Sequence, residues 1–93
     1  MPSVVATIKV KEDKIEEAKS FLKDLAAEVR ANEPGTLAYV FHQKQGDPTT
    51  FVAYEKYDST ESFKKHSAGL AAKGAGFAAI LDGAPEIVML EEI

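Results

Sequence analysis

From Ser3 to Val10 the residues alternate, Val4, Ala6, Ile8 and Val10 on one face and Ser3, Val5, Thr7 and Lys9 on the other, which is the two-residue period of a β-strand. The period then lengthens. Asp13-Lys14-Ile15-Glu16 has the form of a capping box with Asp in the place of Ser or Thr, and beyond it Ile15, Ala18, Leu22, Leu25 and Val29 recur at three- and four-residue steps, widened by Phe21 and Ala26. This spacing predicts an amphipathic helix to about Asn32, which Pro34 ends and Gly35 turns away from. Thr36 to Lys44 is apolar on both parities, with Leu37, Tyr39 and Phe41 on one side and Ala38, Val40 and His42 on the other, so a strand buried on both faces is expected. Gly46-Asp47-Pro48 is turn chemistry, and Thr50 to Tyr57 follows as a strand that completes an antiparallel hairpin.

Asp58-Ser59-Thr60-Glu61 offers a second helix cap, opening a short helix through Phe63 to about Ser67. Ala68 to Gly83 is rich in Ala and Gly around Leu70, Phe77, Ile80 and Leu81. It reads as a further helical stretch, loosely held and able to act as a lid, because each interior Gly costs about 1 kcal/mol relative to Ala. Glu86 to Leu90 is the last strand. The order βαββαβ predicts an α+β fold of ferredoxin-like topology with an antiparallel sheet, in one domain spanning residues 1–93. A chain this short buries only about 60% of its unfolded surface. Its strands also carry apolar residues on both faces, so a homodimer that covers one sheet face is expected.

Composition removes several function classes. Hydrophobic residues make up 45% and charged residues 28%, which is the balance of a folded globular protein. There is no cysteine, so disulfides and thiolate chemistry are excluded. The net charge is −4 and the Lys and Arg residues are scattered, which argues against a nucleic-acid partner. Without a basic leader or a long apolar run, no membrane association and a cytoplasmic location are expected. No His-x-x-x-His or similar spacing occurs, and Gly74-Ala75-Gly76 lies late in an Ala-rich stretch rather than between a first strand and helix. Neither a metal nor a nucleotide or flavin cofactor is expected.

The remaining chemistry rests on a few side chains. His66 is the only histidine on a predicted helix, and near neutral pH an imidazole can take a proton from a phenol or an enolisable carbon. His42, on a strand with no accompanying motif, reads as a packing or surface residue. Tyr39, Tyr54 and Tyr57 combine a ring with one orienting hydroxyl, and with Phe63 and Phe77 they could line an aromatic-friendly pocket. Glu55 could serve as an acceptor or general base, although a structural role is the simpler reading.

Three stretches, Glu33-Pro34-Gly35-Thr36-Leu37-Ala38-Tyr39, Phe51-Val52-Ala53-Tyr54-Glu55-Lys56-Tyr57 and Phe63-Lys64-Lys65-His66, occur in an order and spacing that resembles the antibiotic biosynthesis monooxygenase family of dimeric α+β barrels. The similarity extends over nearly the whole chain. It implies a dimer whose subunits each hold a pocket between sheet and helices, and a cofactor-independent oxidation of a small phenolic or quinol-like compound by O2. On that resemblance His66 and Tyr57 are the catalytic candidates, and Tyr39, Tyr54, Phe63 and Phe77 the substrate-binding ones. An isomerase acting on a small carbonyl compound, or a ligand-binding dimer without turnover, are the alternatives. Two departures narrow the picture. Tyr57 stands where the family's third strand often ends in Trp, and the chain has no Trp. The Asn, Trp and later His of haem-degrading relatives are also missing, so haem degradation is disfavoured.

Overall fold

The alternation along the first strand survives as a difference in burial. In the computed structural model, which describes Met1–Ile93, Val4, Ala6, Ile8 and Val10 are buried while Val5, Thr7 and Lys9 are more exposed. The elements run β1 (Pro2–Lys9), a 3-10 turn (Glu12–Lys14), α1 (Ile15–Asn32), β2 (Thr36–Gln43), β3 (Thr50–Tyr57), α2 (Thr60–Ala71), α3 (Gly74–Ile80) and β4 (Glu86–Glu91). The four strands form one sheet in the order β2-β3-β1-β4, with every neighbouring pair antiparallel. This is the ferredoxin-like α+β arrangement that the element order predicts.

All helices lie on one face of that sheet. From α1, Ala18, Leu22, Leu25, Ala26 and Val29 are buried against Ile8, Phe51 and Tyr39, so the apolar stripe read from the sequence is the stripe that packs. Fully burying one such Leu or Val is worth about 1.5–3 kcal/mol, which makes this helix the main anchor of the covered face. Val40, Tyr54, Val88 and Leu90 occupy the other face and remain exposed.

Local details depart from the periodicity. β2 is buried on one side only. A bulge between Thr36 and Ala38 moves Leu37 off the parity of Tyr39 and Phe41, and it is half exposed. Asp13 does not cap α1; a 3-10 turn feeds the helix and no side chain satisfies its first N–H groups. Ser59 does cap α2, its hydroxyl accepting from the Ser62 N–H, and this helix runs past Ser67 to Ala71. In α3, Gly76 is a packing residue: a Cβ there would lie 2.8 Å from Phe21 Cζ. Its absence lets α3 lie close to α1, with Phe21 and Phe77 meeting edge to face at 5.0 Å.

Candidate functional site

β3 carries a carboxylate in an otherwise uncharged row. Phe51, Ala53, Glu55 and Tyr57 share the parity that faces the helices, and all four are buried. The sheet register sets Tyr39 of β2 beside Glu55. Because Ser59 starts α2 directly after β3, His66 falls about two turns along that helix, over the same strands. Glu33 closes the far end of α1, its own N–H held by the Val29 carbonyl.

These residues meet in one cluster. His66 is 1% exposed, with Nδ1 2.9 Å from Glu33 Oε1 and Nε2 3.7 Å from Glu55 Oε1. A carboxylate accepts, so Nδ1 is the donor in the shorter contact. Tyr57 donates its hydroxyl to Glu55 Oε1 at 2.5 Å, and Thr36 donates to Glu33 Oε1 at 2.9 Å. The rings of Tyr39 and Tyr57 pack against the imidazole, the first edge to face and the second tilted, with ring centres 4.7 and 5.4 Å away. His66 Nε2 is the one buried side-chain nitrogen or oxygen without a hydrogen-bond partner. Buried polar atoms are usually paired, and the polar atom that faces this orphan is Glu55 Oε1, 3.7 Å away.

Burial raises the pKa of the Glu55 carboxyl above the usual carboxylate range. The nearby Glu33 charge pushes it the same way, while the Tyr57 hydrogen bond and the His66 charge oppose the shift. The phenols of Tyr39 and Tyr57 are also pushed up, first by burial and, for Tyr57, next by its hydrogen bond to Glu55. Both therefore remain protonated donors in ordinary buffers.

Besides a small hollow of about 110 Å3 beside Glu33, Leu70 and Lys73, two larger cavities flank the cluster. One, about 290 Å3, lies between the sheet and α2–α3, with Ala6, Ile8, Phe41, Leu70, Phe77 and Ile87 among its apolar walls. Glu55 and Tyr39 are the polar side chains on its surface. The Tyr57 hydroxyl and His66 both address Oε1 of Glu55, which leaves Oε2 without either partner. The other cavity is a polar cleft of about 470 Å3 bounded by Asn32 to Thr36, Asp58, Ser62 and Lys65. Glu33 lines that cleft.

Of the residues singled out from the sequence, Tyr39 and Phe77 line the apolar cavity. His66 and Tyr57 stand behind Glu55 rather than on the cavity surface, and Phe63 packs on Tyr57 with ring centres 5.3 Å apart. Tyr54 is apart from them all. Its even parity on β3 turns it to the open sheet face, opposite Val40, so it does not reach the cavity. His42 is exposed, its Nδ1 3.3 Å from the Val52 carbonyl, in keeping with a surface residue. The sequence names Glu33 only as part of the stretch that carries the resemblance, with no role of its own, and favours a structural role for Glu55. Glu55 could have been found as the one carboxylate of a buried stripe, whereas Glu33 sits in a turn where no periodicity marks it. No group of three or more His, Asp or Glu side chains is arranged to hold a metal ion, and no helix is long and apolar enough to cross a membrane.

Residues 1–75 match the family model described as antibiotic biosynthesis monooxygenase. Among solved structures, a Caulobacter crescentus CB15 protein provisionally named antibiotic biosynthesis monooxygenase is 35% identical, with a TM-score of 0.91 over 99% of this chain and 89% of that one. A Nitrosomonas europaea protein with the same provisional name is 25% identical, with a TM-score of 0.86 over 100% of this chain and 99% of its own. A Deinococcus radiodurans protein, 19% identical over 99% of this chain and 92% of its own, has a TM-score of 0.86 and shares the fold. No curated protein matches the sequence.

Proposed function

The chain belongs to the antibiotic biosynthesis monooxygenase family, and from that membership we propose that it oxidises a small phenolic or quinol-like compound with O2, without a metal or organic cofactor. The observation that carries this reading is a buried carboxyl, Glu55, presented beside Tyr39 to a cavity whose other walls are apolar. A flat aromatic fits such walls, and its acidic O–H is addressed by Glu55 Oε2. A base whose pKa is raised toward the working pH removes that proton more effectively than an ordinary carboxylate.

The reaction balances as quinol plus O2 giving hydroxyquinone plus water. Glu55 takes the phenolic proton and the anion, now electron-rich, supplies electrons to O2. A C–O bond forms, the O–O bond breaks, and the departing oxygen leaves as water with the two hydrogens that the ring system loses. In this scheme Glu55 is the catalytic residue, Tyr57 and His66 hold and polarise it from behind, and Tyr39 and Phe77 position the ring. His66 as the direct base, and Tyr54 as a contact residue, are replaced by this assignment. The apolar walls, once a ligand fills the space between them, limit the access of water to the anion. The open sheet face, with Val40, Tyr54, Val88 and Leu90, is assigned to a second copy of the chain, since a patch of this kind favours twofold association.

Oxygen uptake with anthrone and with 2-methyl-1,4-naphthalenediol, measured above the uncatalysed background, tests the reading. Glu55→Gln should lower the rate roughly 10²- to 10⁴-fold, and Tyr54→Phe should leave it unchanged. Deuterium exchange into an enolisable ketone without O2 uptake would assign the same carboxyl to an isomerase instead. Uptake unaffected by Glu55→Gln would overturn the role of Glu55.

A further inference from the structure

The apolar cavity and the polar cleft are separated by three side chains in a row. Glu55 faces the first, Glu33 faces the second, and the buried imidazole of His66 lies between them, 3.7 Å from one carboxylate and 2.9 Å from the other. We propose that Glu33 is the solvent-side end of a proton path, Glu55–His66–Glu33, through which the cavity carboxyl exchanges protons with the cleft while the cavity is filled. The role given to Glu55 rests on the proposed function; the path itself rests on geometry.

Each link has a physical reason. A ligand that fills the apolar cavity shuts Glu55 off from water on that side, so a proton taken from the ligand is held on the cleft side through the imidazole and returned when the departing oxygen leaves as water. His66 can relay it because its two nitrogens point to different partners. A proton accepted at Nε2 from Glu55 is matched by one released from Nδ1 to Glu33, and the ring's charge is the same before and after. Passage in the opposite direction restores the original tautomer. The 3.7 Å gap is longer than a hydrogen bond, but such contacts commonly tighten once a ligand is bound, and Nε2 has no other partner to give up. Glu33 is suited to the exit, since its side chain keeps about a quarter of its surface exposed whereas that of Glu55 is 8% exposed. Around Glu33 the Thr36 hydroxyl donates from β2, Lys65 and Asp58 share its cleft, and the phenols of Tyr39 and Tyr57 lie toward Glu55.

The decisive variant is Glu33→Gln. Its amide oxygen can still accept from Nδ1, so packing and hydrogen bonding are kept, but it cannot carry a proton. With ¹⁵N-labelled histidine, exchange of the His66 Nδ1 proton with water is followed by saturation transfer on the ligand-free protein, so the result does not depend on any substrate being turned over. Exchange should slow roughly tenfold or more in Glu33→Gln, by a smaller factor in Glu33→Asp, and stay within about twofold of wild type in Glu55→Gln. Equal exchange in Glu33→Gln and wild type would overturn the path, while leaving Glu55 as the base untouched. Conversely, absence of O2 uptake with slowed exchange would reject the oxygenase reading and keep the path. Thermal unfolding checks that the variant is folded; should Glu33→Gln fail to fold, Glu33→Asp carries the comparison, and unchanged exchange there overturns the path.

Discussion

Gly35 controls how closely the start of α2 approaches the entry to β2, and Gly35→Ala should therefore strain the whole candidate site. A Cβ added at Gly35 would fall on the Ser62 hydroxyl and lie 2.7 Å from Ser62 Cβ and 3.1 Å from Asp58 Oδ1. Two saturated carbons at that separation are well inside contact distance, so backbone must move. The hydroxyl cannot simply swing aside, because it takes part in the Ser59 and Asp58 hydrogen bonds that cap α2, and the Asp58 N–H is bonded to the Gly35 carbonyl. Overpacking of this kind costs about 1–3 kcal/mol, which for a domain of this size lowers Tm by roughly 5–20 °C. The assay is thermal and urea unfolding at one protein concentration in a double-mutant cycle with Ser62→Gly. Removing the Ser62 side chain costs stability by itself, but in that background Gly35→Ala should cost less than about 0.5 kcal/mol. A similar cost in both backgrounds would refute the steric argument, since the penalty would then come from the Gly35 backbone alone. A Gly35→Ala protein as stable as wild type would refute it outright.

Glu55→Gln should also change how stability depends on pH. The folded-state pKa of Glu55 lies above its unfolded value, so its contribution is fully present below the ordinary carboxylate pKa and is lost as pH rises through the folded value. Gln mimics the protonated acid, and urea unfolding across that window should show the variant gaining on wild type as pH rises; a constant difference would contradict the burial of the charge. Val40→Asp and Phe41→Asp should part company, because Val40 is on the open face and Phe41 on the helix-covered one. Sedimentation should show Val40→Asp as a folded monomer of about 10 kDa and circular dichroism should show Phe41→Asp unfolded, whereas a wild type that is already monomeric would remove the dimer proposal.

Periodicity is a local property, and what it governs was legible from the chain. The order βαββαβ, the buried stripe of α1 and the hairpin around Gly46-Asp47-Pro48 follow from side-chain spacing, because a helix or strand can bury one face only if apolar residues recur on it. The resemblance carried by Glu33–Tyr39, Phe51–Tyr57 and Phe63–His66 was legible for a related reason, since those segments supply the turn, strand and helix that converge on one end of the sheet.

Tertiary structure decided which residues meet. Parity alone separates Tyr54 from Tyr57, yet which parity faces the helices depends on where α1 and α2 pack, and that choice removed Tyr54 from the cavity. The bulge that turns Leu37 outward comes from the register of β2 on β3, a relation between two strands that neither contains alone. Glu33 and His66 are 33 positions apart, in a turn and on a helix, and they touch because Ser59 starts α2 at one particular place and Gly35 lets it come close. The environment of Glu55 was likewise invisible along the chain. A carboxylate's proton affinity is set by the water it loses and the charges it gains, and both are supplied by residues brought to it from other elements.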